Sequence, residues 1–174
     1  AKAGFVSGAS DEGCLRILGH SCHGAYPESG TDAIVIGAQV ITALQTLVSR
    51  NISPLDSAVL TLGTVRGGKA SNIICGDVQC TGTLRTLSEK TRDMLKKRIP
   101  QLAAGIAQGM GGNAEVRIQP GYGAVYNDDA LYAKIEALAR DMLGADAVVR
   151  RGAPSLGVES FGYFQKDTPG VYYD

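Results

Sequence analysis

The chain has 174 residues, 44% of them hydrophobic, which is enough for one ordinary domain or for a small domain and part of another. Lys and Arg together number 17, as do Asp and Glu, so the formal net charge is zero. This balance argues against nucleic acid or an anionic membrane surface as the main partner, because both are bound through an excess of basic residues.

The N-terminal part of the chain predicts a strand, a loop and a long helix. Residues 4–10 form an extended approach, and the alternation over 14–18 indicates a strand. A loop with glycine and proline follows over 19–32, and its last two residues, Thr and Asp, are good N-caps for a helix over 33–50. That helix is apolar on more than one side, so we expect it to contact a second apolar partner, preferably in a dimer.

Two further strands are predicted after a turn. The first covers 57–65, and a glycine loop over 66–72 connects it to a longer strand over 73–86. Gly76 and Gly82 are expected to interrupt that longer strand with bulges or bends.

A second helix and a last strand complete the unit. Ser88 caps a helix that runs to about Met110, and Pro100 is expected to kink it. A short strand over 114–119 follows. The order over residues 13–120 is therefore β-α-β-β-α-β, which predicts an α+β fold, the ferredoxin-like sandwich with two helices on one sheet face.

The remaining residues differ in kind from this unit. An amphipathic helix is predicted over 128–143 and a short strand at 148–149, whereas 152–174 is rich in glycine and aromatic residues. This tail is too small for a core of its own. We expect it to pack on the first domain or on a domain missing from the chain.

The four cysteines show no Cys-x-x-Cys spacing, and three of them lie in apolar or strand-like runs. No run of membrane-spanning length and no signal-peptide pattern is evident. We therefore expect a reducing, cytoplasmic location.

The loop over 19–32 holds both histidines of the chain, His20 and His23. His23 could donate a hydrogen bond to a developing oxyanion, act as an acid or base, or bind a metal; a backbone-bonded loop histidine is the structural alternative. A zinc site would need two more ligands than this loop supplies, so we predict no metal bound within the chain. Cys22 lacks the partners of a thiol nucleophile.

Three other residues are candidates for binding a ligand. Asn72 lies at a hairpin end, where the alternative is a turn-forming residue. Arg85 could hold a carboxylate through two parallel hydrogen bonds, or be an exposed strand arginine. Glu159 could reach a site from a glycine-framed loop, or that loop could serve only for aromatic packing. The Gly-Gly-Lys sequence at 67–69 precedes a strand and not a helix, which disfavours a phosphate loop.

Five short motifs stand in register along the chain. They are His23-Gly-Ala-Tyr-Pro27 with Gly30-Thr-Asp32, Gly63-Thr-Val-Arg-Gly-Gly68, Ser71-Asn72-Ile-Ile74, Gly82-Thr-Leu-Arg85-Thr86, and Gly157-Val-Glu-Ser-Phe161 with Pro169-Gly170. In order and spacing, the chain resembles the metal-dependent amidohydrolases of the aminoacylase and carboxypeptidase G family, especially the N-acyl-amino-acid and indoleacetyl-amino-acid hydrolase branch.

The resemblance implies a domain division and a set of roles. Residues 1–120 would be the ferredoxin-like lid, which forms a homodimer, and 121–174 a partial α/β segment of the metal-binding catalytic domain. His23 would stabilise the oxyanion in the partner subunit's active site. Asn72 and Arg85 would bind the substrate. The divalent metals, zinc or else manganese or cobalt, would be held by parts of the parent enzyme outside this segment.

The resulting hypothesis is a lid that serves the hydrolysis of an N-acyl amino acid or peptide-like substrate, inactive when separated from the metal ligands. Nucleic acid and membrane are not expected as partners. One alternative is a stand-alone ferredoxin-like module that binds a ligand without catalysis. Another is a purely structural dimerisation domain.

Overall fold

The computed structural model describes residues 1–173 and contains a four-stranded antiparallel sheet. Its strands are β2 (Ala9–Leu18), β3 (Ala58–Gly67), β4 (Asp77–Thr86) and β5 (Asn113–Pro120), and they lie in the order β3-β4-β2-β5. Two helices, α1 (Ala33–Asn51) and α2 (Glu89–Gly109), pack against the sheet. This order and connectivity confirm the predicted ferredoxin-like α+β sandwich.

The other elements flank this sandwich. They are β1 (Gly4–Ser7), β6 (Val125–Asn127), α3 (Asp129–Leu143) and three 3-10 turns at Pro27–Ser29, Ala145–Ala147 and Ser160–Lys166. Strand β1 pairs with β6 and not with the four-stranded sheet. Only Gly8 separates β1 from β2, so the chain enters the large sheet directly from the small one.

Alternation along the strands separates a covered sheet face from an open one. In β2, Leu15 and Ile17 are buried, whereas Cys14 and Arg16 are exposed. The core between the sheet and the helices is built from aliphatic side chains of all these elements. Its helical members include Ile36, Val40, Leu44, Leu47, Leu95, Ile99 and Ala103.

Helix α1 begins where the sequence predicts. The Asp32 carboxylate accepts hydrogen bonds from the amides of Ile34 and Val35 at 2.9 and 3.3 Å, which satisfies two of the free amides of the first turn. By length and composition this helix could cross a membrane, which the sequence reading did not anticipate. Its innermost side chains pack in the core of the sandwich, whereas Ile34 and Val35 on its outer side are exposed.

Strand β4 corrects one prediction, because it begins at Asp77 and not at residue 73. Residues 73–76 bond to the histidine loop instead: the Ile74 amide donates to the Cys22 carbonyl at 2.9 Å, and the Gly19 amide donates to the Gly76 carbonyl at 2.9 Å. A continuous strand cannot form while these backbone groups are so engaged.

The irregularity expected at Gly82 lies in the neighbouring strand. The register between β3 and β4 shifts between Leu62 and Thr64, while Gly82 keeps regular pairing with both of its neighbours. A Cβ at position 82 would come within 1.9 Å of the Thr61 carbonyl oxygen, so close approach of the strands requires glycine there.

Helix α2 continues through Pro100, which therefore lies inside the helix. One other expectation is corrected. No strand forms at residues 148–149 in the described part of the chain. There, the Val149 carbonyl accepts a bond from the amino group of Ala1 at 3.1 Å, and the Arg151 amide donates to the Ala1 carbonyl at 2.8 Å. These contacts do not make the repeated ladder of a strand.

The C-terminal segment carries an ion-pair network of its own. Glu136 of α3 accepts hydrogen bonds from Arg150 at 2.8 and 3.0 Å and from Arg140 at 2.9 and 3.2 Å. These bonds, with the positive charges of both arginines, lower the pKa of Glu136 to about 2. The network ties α3 to the chain that follows it.

Candidate functional site

The histidine loop, residues 19–32, lies between β2 and α1 and is held by its own backbone. His20 and Thr31 exchange two amide–carbonyl bonds of 2.9 Å, which close the base of the loop. The side chain of His23 is exposed. Its Nδ1 accepts a hydrogen bond from the Ala25 amide at 3.1 Å. In the neutral ring the proton is therefore assigned to Nε2, which leaves an N–H donor free to face a ligand.

Asn72 adjoins His23 through the backbone. The Gly24 amide donates to the Asn72 carbonyl at 2.7 Å, and His23 forms an isolated bridge with Ile73. The Asn72 side chain is exposed. A Cβ on Gly24 would come within 3.0 Å of the Asn72 carbonyl oxygen, so the close approach of the two segments favours glycine. The structure thus brings two predicted site residues together.

Arg85 and Glu159 lie at the opposite end of the sheet. The Arg85 Nη1 donates to the Leu156 carbonyl at 2.9 Å, so part of its guanidinium is already occupied by the C-terminal segment. Glu159 is exposed and precedes the 3-10 turn at Ser160–Lys166 without capping it. Eight residues of extended strand separate Asp77 from Arg85, a span of about 27 Å. The four predicted residues therefore form two pairs at different ends of one chain.

The sequence reading missed a buried ion pair at the Arg85 end. Arg92 donates to both oxygens of Asp11, Nε at 2.8 Å and Nη2 at 2.7 Å, and the two side chains are 9% and 1% exposed. Lys96 and the Gly121 amide also approach the Asp11 carboxylate, at 3.5 and 3.4 Å. Asp11 occupies a covered position of β2, where alternation alone predicts an apolar residue.

The pKa values of this pair follow from its surroundings. Burial alone would raise the pKa of Asp11, but the hydrogen bonds and charge of Arg92, with Lys96 and the Gly121 amide, outweigh it and lower that pKa below its ordinary value. The same bonds raise the pKa of Arg92. Both groups stay charged, and the pair is structural because its bonds are satisfied within the protein.

A cleft of about 580 Å³ opens at the histidine end of the sheet. It lies between the first residues of the histidine loop and the hairpin that joins β3 to β4. Polar side chains in its lining are those of His20, Ser21, Arg66, Lys69, Asp77 and Gln79.

Within residues 1–173, no three His, Cys, Asp or Glu side chains come together in an arrangement that could hold a metal ion. His20, Cys22 and His23 share a loop but do not make such a group. The described residues therefore do not supply the ligands for a divalent metal centre of the kind that the resemblance implies for the parent enzyme.

The fold defines a ferredoxin-like domain that presents two loop-borne side chains from one end of its sheet. Residues 4–109, more than half of the chain, match the model of the M20 peptidase dimerisation domain. The chain belongs to this family.

Its relatives are hydrolases of the same family. The chain is 38% identical over 172 residues to an N-acetyldiaminopimelate deacetylase of Bacillus velezensis, covering 99% of this chain and 46% of that protein. It is 36% identical over 173 residues to the hydrolase y4tI of Sinorhizobium fredii, covering 99% of this chain and 43% of that protein. The chain thus spans less than half the length of the curated relatives it matches.

Solved structures agree with the fold. The YXEP protein of Bacillus subtilis, described as a dinuclear metal-binding peptidase of the M20 family, superposes with a TM-score of 0.77 at 27% identity. The match covers 98% of this chain and 42% of that one.

Proposed function

We propose that this chain is the lid and part of the following catalytic segment of a metal-dependent amidohydrolase, which cleaves the amide bond of an N-acyl amino acid or a related peptide-like substrate. Residues 1–120 would form the lid and dimerisation domain, and 121–174 part of the catalytic domain. Membership of the dimerisation-domain family and the deacetylases among the relatives support this proposal. The proposed location is the cytoplasm.

The observation that carries the proposal is the state of His23. Its Nδ1 is engaged by the Ala25 amide, its ring is exposed, and Nε2–H points away from that bond. An amide carbonyl gains negative charge as it is attacked, and a fixed N–H donor stabilises that charge more than it stabilises the starting carbonyl. His23 would be this donor.

Distance favours action on a partner's substrate. An N-acyl amino acid is much shorter than the span of about 27 Å between the two ends of the sheet. Arg85 and Glu159 of one chain therefore cannot share a substrate with His23 and Asn72 of the same chain. In a homodimer, His23 and Asn72 of one subunit would complete the site that Arg85 and Glu159 help to form in the other.

The proposed dimer has a suitable surface. Strand β3 is an edge strand with β4 as its one neighbour, so half of its backbone groups are free to pair. Val59 and Val65 on this strand are 41% and 57% exposed, and Ile34 and Val35 of α1 are 51% and 49% exposed. Burial of these side chains against a second copy would be favourable.

The divalent metal belongs, in this proposal, to parts of the parent enzyme other than residues 1–173. The chain's own residues bind, orient and stabilise. Arg85 retains N–H groups beyond the one bonded to Leu156, and these would hold the substrate carboxylate. The lack of metal donors in the described residues also suits the alternative, a dimerisation module without catalysis.

Substitution of His23 in the full-length dimer tests the proposal. His23→Ala removes the donor, so turnover should fall by about 10² to 10³ with metal content unchanged. Glu28→Gln, an exposed change in the same loop, is the matched control. Near-normal turnover of His23→Ala would remove His23 from the mechanism.

Mixed dimers test whether His23 acts across the interface. A His23→Ala subunit would be paired with a subunit whose catalytic domain has lost its metal ligands. If His23 acts within its own subunit, neither subunit of this mixed dimer has a complete site. If His23 acts between subunits, the intact metal ligands of the first subunit combine with the intact His23 of the second, and one complete site forms. Recovered turnover therefore supports the proposed homodimer, and its absence contradicts it.

A further inference from the structure

The cleft beside the histidine loop carries an excess of positive charge. Arg66 and Lys69 both line it and are exposed. Among the described residues that line the cleft, Asp77 is the one with an acidic side chain. The net charge of the cleft therefore depends on which basic residue forms an ion pair with the Asp77 carboxylate.

Asp77 forms its ion pair with Arg16, an arginine that does not line the cleft. Arg16, on the neighbouring strand β2, donates to the Asp77 carboxylate through Nε at 3.0 and 3.2 Å and through Nη2 at 2.5 Å. These bonds and the Arg16 charge lower the pKa of Asp77. Within residues 1–173, no acidic side chain lies within ion-pair distance of Arg66 or Lys69.

The rest of the lining supplies neutral donors. Arg66 stands directly across the strand pair from Gln79, whose amide can donate as well as accept. Ser21 and His20, from the histidine loop, also line the cleft. Two uncompensated cations with neutral donors around them are the groups that recognise a carboxylate in proteins.

The cleft adjoins the proposed reacting centre. Ile73, which forms the backbone bridge to His23, also lines the cleft. Ser21 is two residues from His23, so the two lie about 7 Å apart along extended chain. A substrate whose amide meets the His23 imidazole would need only a few methylene groups to place a second polar group in the cleft.

We propose that the cleft between the histidine loop and the β3–β4 hairpin binds a second carboxylate of the substrate, through Arg66 and Lys69. The inference rests on the proposed function for its position beside the reacting amide. It assigns the preferred substrates to N-acyl amino acids that carry a carboxylate on the side chain, in addition to the α-carboxylate.

Binding can be measured without any reaction. The isotope-labelled 174-residue chain would be titrated with glutarate, a short dicarboxylate, and with glutaramide, its neutral counterpart, while backbone amide resonances are followed. Glutarate should shift the amides of Ser21, Gly67, Gly68 and Lys69, and glutaramide should not. Equal shifts with both compounds, or none with glutarate, would overturn the proposal.

Charge-neutral variants localise the effect. The double variant Arg66→Gln with Lys69→Gln should weaken glutarate binding by about tenfold or more, because two charge-assisted contacts are lost. Arg117→Gln is the matched control, since Arg117 is an exposed arginine of β5 outside the cleft lining. Unchanged glutarate affinity in the double variant would contradict the assignment.

Kinetics of the full-length dimer separate this inference from the proposed function. N-acetylglutamate and N-acetylglutamine differ in the side-chain carboxylate alone. Arg66→Gln with Lys69→Gln should raise KM for the first and leave KM for the second, with kcat little changed. His23→Ala should lower kcat for both. A KM increase of the same size for both substrates would count against a carboxylate site, whatever His23→Ala does.

Discussion

The two ends of the four-stranded sheet each hold an arginine–aspartate pair, in opposite surroundings. Asp11 of β2 and Arg92 of α2 are buried, with side chains 1% and 9% exposed, whereas the side chains of Arg16 and Asp77 are each 44% exposed. At the covered end, the Asp11 carboxylate is held by Arg92 and by Lys96. The open end leaves Arg66 and Lys69 available. A buried charge requires a partner within the fold, whereas an exposed charge is solvated by water and remains available to bind a ligand.

The largest expected effect is at the covered pair. Arg92→Met removes both hydrogen bonds to the Asp11 carboxylate and leaves that charge buried, so the free energy of unfolding should fall by about 3 to 5 kcal/mol. Urea unfolding at neutral pH measures the loss.

A second variant distinguishes the lost partner from lost packing. Asp11→Asn combined with Arg92→Met removes the stranded charge and should recover part of the stability lost by Arg92→Met alone. If the free energy of unfolding of the double variant is lower than that of Arg92→Met, the loss comes from packing and not from the unpaired, buried carboxylate.

Acid should sharpen the same contrast. The pKa of Asp11 is lower in the folded chain than its ordinary value of 3.8, so the folded state holds its proton less readily than the unfolded state. The stability that Asp11 contributes is fully present above pH 3.8 and is lost as the pH falls through the lower, folded value. Glu136 acts in the same direction between its ordinary value of 4.5 and about 2.

The measurement is the free energy of unfolding against pH. The double variant Asp11→Asn with Arg92→Met should lose less stability than the wild type on acidification below pH 3.8. Parallel curves for the two proteins would show that Asp11 is not responsible for the acid limb.

The smallest expected effect is at the exposed pair. Arg16→Gln breaks a bidentate contact that water and salt already screen, so the change in stability should be close to experimental error. It should shrink further as salt is added. A loss as large as that of Arg92→Met would mean that exposure does not separate the two pairs.

Much of the sandwich could be predicted from the sequence. Alternation in β2, the N-caps Asp32 and Ser88, and the breadth of apolar residues on α1 are local signals, and they predicted the right elements in the right order. The start of β4 was wrong because residues 73–76 bond to a loop some fifty positions earlier, which no local pattern reveals.

The site was predictable in its residues and not in its arrangement. Motifs drew attention to His23, Asn72, Arg85 and Glu159, but their division between two ends of the sheet depends on the strand order. The pair of Asp11 and Arg92 joins positions 81 residues apart, and only a carboxylate at a covered strand position hinted at it. The lone acid at such a position is a signal that can be sought in other sequences.

The strand order also determines where the chain enters and leaves the sandwich. Asp11 at the start of β2 stands directly opposite Pro120 at the end of β5, so the incoming and outgoing backbones are about 5 Å apart. The sandwich is therefore joined to the residues before and after it through two adjacent glycines, Gly8 and Gly121. A unit attached in this way can change size without moving the residues that flank it, and insertions at such a junction are tolerated.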